Sequence, residues 1–378
     1  MIAFLPVILL YAGFISAVLI AASKQRQSLK NQLCVELASE YNLEYNSFRS
    51  YPDVQLSGLL YEHRIALSVK LMPDIFTIRI EFEFSNDEFR NIYVAKSTST
   101  NGIFANKNLV IGRQRFDSMF ITTADSEISA IALMNDKISS AFAYLYDNVE
   151  NLILDEKGIK INLTSGKEYV KREIRKMFSL LKEIADEIEK AVTLQQRFSG
   201  NILNSSRETM KISNFYALLM LDPENKPAEN LFSEIFKCEN NICSFNFDID
   251  QMKSEIRIRA LKIIEILKLS GFEKYLIQLI TDKDDKLIDN VFSALSAAGT
   301  ISSVEPLMKI SSDSINPFFK QKCHETIAAI QSRLGNAGKG WVSVSSSVEM
   351  EGALSRDASP EKGMLSIDDA GKTKEKNN

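Results

Sequence analysis

The chain has 378 residues, 45% of them apolar and 25% charged, a globular balance that excludes wholesale disorder and leaves room for about two domains. A net charge of −4 argues against a general nucleic-acid binder, and four cysteines are too few and too irregularly spaced for a small disulfide scaffold. Two histidines, His63 and His324, leave little material for histidine-based catalysis or metal sites.

Residues Ile2 to Ala22 carry no charge. As a helix they span about 31 Å, close to a hydrocarbon core of about 30 Å, and they show no polar face. This predicts a transmembrane anchor over residues 1–23. One alternative is a cleaved signal peptide with Ala21-Ala22-Ser23 as its small-residue site, though no basic residue precedes the run and the run is long for that purpose; a buried core helix is the other. Lys24, Arg26 and Lys30 follow the span. They predict an amino terminus outside and the bulk of the chain in the cytoplasm, attached to the inner membrane as a single-pass protein. Unpaired Cys34, Cys238, Cys243 and Cys323 fit a reducing compartment.

Beyond the anchor, Leu29, Leu33, Leu37, Ala38 and Tyr41 have helical spacing. From Val54 the period becomes two, predicting a hairpin of Val54–Tyr61 and Arg64–Leu71 that turns near Glu62 and His63. Ile75–Phe84 alternates cleanly, with Phe76, Ile78, Ile80, Phe82 and Phe84 on one face and Thr77, Arg79, Glu81 and Glu83 on the other. Shorter strands are expected at Ile92–Ala95, Leu109–Ile111 and Met119–Thr122, then a helical stretch from Ser126 to Tyr146. A hairpin of Leu152–Leu154 and Ile159–Leu163 follows, with Gly158 supplying a positive φ in its turn. Residues 24–200 thus read as an α+β domain, an antiparallel sheet with helices on one face.

Within it, Lys167–Gln196 is predicted as one long helix. Val170, Ile174, Met177, Leu181, Ile184, Ile188 and Ala191 form a heptad seam, widened by Phe178, Leu180 and Leu194. So wide a stripe favours docking on the sheet; the alternative is a homodimer through the 167–196 helix. Lys171, Arg172, Arg175 and Lys176 come early and Glu183, Asp186, Glu187 and Glu189 late, an order that opposes the helix dipole. The basic block is therefore a candidate surface for a protein partner or anionic lipid, against the plainer reading of a solvated face.

Residues 201–250 read as a helical connector, with helices at Arg207–Leu221 and Pro227–Cys238. From 251 to 334 the chain repeats. At an offset of 31 residues Leu261 matches Phe292, Ile264 matches Leu295, Ile266 matches Ala297 and Leu276 matches Leu307. Phe318–Leu334 supplies a third first helix. A paired-helix unit of about 30 residues buries its apolar faces only by stacking on its neighbours. On Ile256, Arg257, Ala260 and Leu261, the Ser270-Gly271 break, and Leu276, Leu279 and Ile280, this region resembles HEAT repeats in their short bacterial form. The second unit has Ile288 and Asp289 where the first has its arginine. The segment Ile111–Ile121 and the helical stretch after it resemble bacterial proteins with an amino-terminal anchor, an α+β domain and terminal HEAT repeats. The HEAT resemblance implies a binding surface, and the second resemblance implies an architecture and no established activity.

The tail, residues 335–378, is rich in Gly and Ser and is expected to be disordered. It echoes a short pattern at Gly340–Ser343, Gly352–Ser355 and Gly363–Ser366. Trp341, Val342, Leu354, Met364 and Leu365 are its candidate docking residues, adding short strands to a partner or to the body; chance is the alternative.

No phosphate-cradling glycine loop or metalloprotease helix motif occurs. Cys323 and His324 point about 100° apart on a helix, and no cofactor, metal ligand set or catalytic group is assigned. The fold expected is a transmembrane helix, an α+β domain with antiparallel sheet, an all-α HEAT-like solenoid and a disordered tail. The function expected is a membrane-anchored cytoplasmic adaptor or scaffold whose partners are the lipid bilayer and an unidentified protein, with no nucleic acid. The alternatives are an enzyme with its site in the α+β domain, or a juxtamembrane sensor of anionic lipid.

Overall fold

The computed structural model describes residues 5–46, 54–72, 75–84, 91–97, 108–166, 168–190, 192–224, 226–239, 242–280, 285–335, 342–343 and 355–356. They form two compact units, Met1–Phe236 with Phe245–Ala260, and Lys237–Ser244 with Leu261–Asn378.

The first unit opens on helix α1, Leu5–Tyr41, which runs unbroken through the end expected for the anchor. Among the described residues no helix is long and apolar enough to cross a membrane. The single-pass anchor over 1–23 is overturned by this finding, and with it the placement at the inner membrane with the amino terminus outside. The later turns of α1 do other work: Leu33, Cys34 and Leu37 are buried.

An eight-stranded antiparallel sheet follows, in the order β1-β2-β3-β4-β8-β7-β5-β6. Its strands are β1 Glu44–Asn46, β2 Val54–Leu60, β3 His63–Leu71, β4 Ile75–Glu83, β5 Ile92–Lys96, β6 Phe120–Ala124, β7 Asn151–Asp155 and β8 Gly158–Gly166. Period-two patterning becomes packing in cross-strand rows. Leu56, Leu67, Ile80, Ile161 and Leu152 are register partners in turn across β2, β3, β4, β8 and β7, and all five are buried. Burying each such side chain stabilises by about 1.5–3 kcal/mol. The other face of β4 keeps Thr77, Arg79, Glu81 and Glu83 toward water. The β2–β3 turn places Tyr61 and Glu62 at φ 52° and 73°, the pairing of positive angles that matches strand twist.

Several expected boundaries shift for local reasons. Leu109–Ile111 is not a strand; Leu109 N–H donates to Thr122 O at 2.8 Å, and Asn108 Oδ1 accepts from Thr122 N–H at 2.8 Å, so this segment covers the β6 edge. After α2, Gln114–Met119, the 126–146 stretch divides into α3, Glu127–Leu133, and α4, Asp136–Asn148, because Asn135 leaves the helix to cap Ile138 N–H. The long helix divides too. Helix α5 spans Val170–Ile188, and Thr193 with Gln196 builds a capping box that starts α6, Leu194–Asn204. Helices α7, Glu208–Leu221, and α8, Glu229–Ile235, also belong to the unit, as does the 201–250 connector apart from residues 237–244.

The α5 stripe of Val170, Ile174, Met177, Phe178, Leu181, Ile184, Ala185 and Ile188 is buried. Tyr41 meets Phe178 edge-on at 4.8 Å, and Phe116, Phe120 and Phe142 form a second aromatic group with centroids 4.8–6.1 Å apart.

The remaining helices are α9 Ser254–Leu267, α10 Glu273–Leu279, α11 Asp285–Ala298, α12 Val304–Asp313 and α13 Pro317–Leu334, with a 3-10 turn at Ile301–Ser303. The division between units falls inside α9, after Ala260. Strands β9, Phe236–Glu239, and β10, Ile242–Phe245, pair as a two-stranded hairpin, and all but Phe236 and Phe245 fall in the second unit. The hairpin corrects the expectation of four unpaired cysteines: Cys238 and Cys243 are joined as a disulfide, while Cys34 and Cys323 are free and buried. A tail pair, β11 Val342–Ser343 and β12 Ser355–Arg356, is antiparallel.

Candidate functional site

The basic block on α5 turns toward α1. Arg175 donates from Nε and Nη2 to Glu40 Oε1 and Oε2 at 2.8 Å each, and Lys171 pairs with Glu36. Arg172 pairs with Glu173 at 3.1 Å and lies 5.0 Å over the Tyr169 ring, while Lys176 lies 3.9 Å over Tyr144. The charge order that opposes the α5 dipole thus serves an acidic stripe on α1. Lys24 and Arg26 are exposed, but Lys30 is 3% exposed and sits inside the fold.

The Arg175 hydrogen bonds hold the Glu40 carboxyl below its ordinary value. A carboxyl depressed on folding adds stability above its unfolded value and loses it as pH falls through the folded one. Arg175→Gln should therefore move the Glu40 titration upward, read by carboxyl-carbon NMR, and flatten the acid limb of stability. An unmoved Glu40 would refute the pairing.

His63 is buried at the start of β3, with Nδ1 3.4 Å from Glu189 Oε1 and its ring 5.0 Å from Phe82. It packs in the wall below the turn.

A polar cleft, not anticipated from sequence, opens in the first unit where the start of α4 meets the end of α5 and α6. It encloses about 480 Å³ and is lined by Asn135, Asp136, Lys137, Glu187, Lys190, Gln196, Arg197, Asn201, Asn204 and others. Its walls are cross-braced. Asn135 Nδ2 and Lys137 Nζ donate to the two Glu187 oxygens at 2.9 and 2.7 Å. These bonds, the Lys137 one first, hold the Glu187 carboxyl below its usual value against the upward pull of burial. Arg197, 6% exposed, donates to the carbonyls of Glu187, Ile188 and Lys190 at 2.7, 3.2 and 3.2 Å, closing the carboxyl end of α5. Arg197→Met leaves those carbonyls short of donors in a buried joint and should cost about 2–3 kcal/mol, measured by urea unfolding. A loss under about 0.5 kcal/mol would mean that water replaces the guanidinium freely.

The segment Ile111–Ile121 is a second brace. Asp117 accepts from Ile111 and Gly112 N–H at 2.9 and 3.1 Å, and Thr209 donates to Gly112 O. Burial pushes the Asp117 carboxyl up, and those two amides pull against it. Arg113 donates to Asp136 O and Ser140 Oγ at 2.8 and 3.0 Å. Arg259 reaches Glu127 Oε1 at 2.6 Å and Ser213 Oγ at 2.8 Å, and also donates to Val110 O.

In the second unit, α11 packs on α10 and α13, and α12 on α13. Polar bonds recur between successive helix pairs: Ser293 to Glu265 at 2.8 Å, Thr300 to Glu273 at 3.0 Å, Lys322 with Asp289 at 3.5 Å. Leu261, Ile264, Leu276, Phe292, Leu295 and Leu307 are buried, while Ile266 and Ala297 are half-buried. Ile315 and Phe318, at the α12–α13 corner, are 97% and 63% exposed, and Lys322 lies 5.6 Å over Phe318.

In the tail, Val342 pairs with Arg356 and Ser343 with Ser355. Trp341, Leu354, Met364 and Leu365 lie outside the described residues. Among the described residues no cluster of three His, Cys, Asp or Glu is placed to hold a metal ion.

No family model, curated protein or solved structure matches the chain.

Proposed function

We propose that this chain is a binding protein, an adaptor or scaffold that engages a protein partner through the surface of its carboxy-terminal helix pairs. The observation that carries the reading is the recurrence of bonds between successive pairs, Glu265 to Ser293 and Glu273 to Thr300, at separations of 28 and 27 residues. Such stacking buries one face of each pair and leaves the other as a continuous surface for a partner. The α12–α13 corner offers that surface an apolar contact in Ile315 and Phe318, with Lys322 beside them. A few side chains that become buried on binding carry most of the energy of an interface.

The test compares the full chain with an Ile315→Ser, Phe318→Ser variant as baits. A partner held by the first and weakened at least about tenfold by the second supports the reading. If binding survives this variant and also Lys274→Glu with Lys309→Glu on α10 and α12, the helix pairs are not the docking surface.

A second reading, an enzyme with its site in the first unit, has the polar cleft in its favour. It requires that Lys137→Ala or Glu187→Gln abolish a turnover while the α12–α13 variant leaves it intact.

A further inference from the structure

The four cysteines are of two kinds. Cys34 and Cys323 are buried, and burial pushes their thiols up to about 12 and about 11, for Cys34 against the pull of the Lys30 charge. The thiolate is the reactive form, so both are chemically quiet. Cys238 is exposed and Cys243 half-buried, and the two are bridged across the β9–β10 hairpin.

That hairpin lies on the corner between α9 and α10. Cys243 N–H donates to Ser270 O at 3.5 Å. Gly271, at φ +102°, is approached so closely that a Cβ there would lie 2.8 Å from Ile242 Cγ2 and 3.1 Å from Cys243 N. The bridged residues are separated by five positions. Closing so short a loop removes little chain entropy, so the bond contributes less as cement than a long-range bridge does. What it controls is local: the placement of Ile242 and Cys243 against the corner.

We propose that Cys238–Cys243 is a thiol–disulfide exchange site for a dithiol reductant, and that its redox state sets whether the hairpin is clasped to the α9–α10 corner. A thiolate of the dithiol attacks the sulfur of Cys238, the more exposed of the two residues. The Cys238–Cys243 bond breaks, and Cys243 leaves as a thiolate and takes a proton. The second thiol of the reductant then attacks the reductant's own sulfur in the mixed disulfide, releasing Cys238 as a thiol. The reductant departs as a disulfide, and two electrons and two protons have passed to the protein. A disulfide of the same class runs the steps in reverse. Because the corner joins the first pair of helices in the repeat region, the site couples cellular thiol status to that end of the binding surface.

The test uses the full chain equilibrated with glutathione disulfide or with dithiothreitol. Peptide mapping under non-reducing conditions should show a 238–243 bridge in the first and a gain of two hydrogens in the second, with Cys34 and Cys323 unreacted in both. Hydrogen exchange at residues 242–244 and 269–272 should quicken at least about fivefold on reduction, as expected for local opening. The Cys238→Ser, Cys243→Ser variant should exchange at the fast rate in both conditions. Failure of the bridge to form in glutathione disulfide, or unchanged exchange on reduction, overturns the proposal. Neither outcome depends on whether the helix pairs bind a partner.

Discussion

Replacing Arg259 by methionine should lower the unfolding free energy by about 2–3 kcal/mol, the range for removing a buried charged donor from its acceptors. The guanidinium side chain is 4% exposed and the Glu127 side chain 38%. Methionine fills much of the volume but donates nothing. Ser213 Oγ loses a donor at 2.8 Å, Val110 O loses another, and the Glu127 carboxylate loses its cation. Glu127 stands in the first turn of α3, where the helix end favours an anion, so part of its cost is recovered. The carbonyl and the hydroxyl have no such compensation. Arg259→Lys keeps the charge yet reaches fewer partners and should recover less than half of the loss. Urea unfolding followed by circular dichroism measures both. A methionine variant within about 1 kcal/mol of the parent would show that the network is dispensable.

Gly158→Ala should be at least as damaging, with a loss of about 4 kcal/mol or more and a fall in soluble yield. Gly158 sits at φ +145°, and a Cβ on it would lie 1.9 Å from Phe82 O and 2.9 Å from Glu83 Cα. Those atoms belong to β4, the strand that pairs with β8 from Ile75↔Gly166 to Glu83↔Gly158. Relief of the clash requires the two strands to part where Phe82 faces Ile159 in the buried row. The neighbouring Lys157 is exposed in the turn, and Lys157→Ala should stay within about 0.5 kcal/mol. Equal effects at the two positions would mean that the turn, not the strand contact, sets the cost.

These two positions differ in how far they could be read ahead. Gly158 announced itself, because a glycine between two alternating runs marks a turn with a positive angle. Its contact with Phe82 did not, since β4 and β8 are joined by a long intervening chain. Arg259 carried no signal beyond lying in a helical repeat. Its partners Val110, Glu127 and Ser213 come from three separate places in the first unit. The α5 basic block behaved similarly: its odd charge order was visible, and its explanation, Glu36 and Glu40 on α1, lies more than a hundred residues away in sequence. The opening apolar run shows the opposite failure. Counting uncharged residues suggested a span, but the helix continues through charged residues to Tyr41 and buries Leu33, Cys34 and Leu37.

Sequence alone determined the local facts: the alternation of β4, the turn at Gly158 and the recurrence of apolar positions through α9 to α13. Each of these depends on neighbours within a turn or two of chain, where spacing and side-chain type carry the information. Tertiary structure alone decided the strand order, the burial of Lys30, Arg197 and Arg259, the Cys238–Cys243 bridge and the polar cleft. Burial and pairing of charge are set by which distant segments meet, and a buried cation is tolerated only where those segments bring acceptors to it.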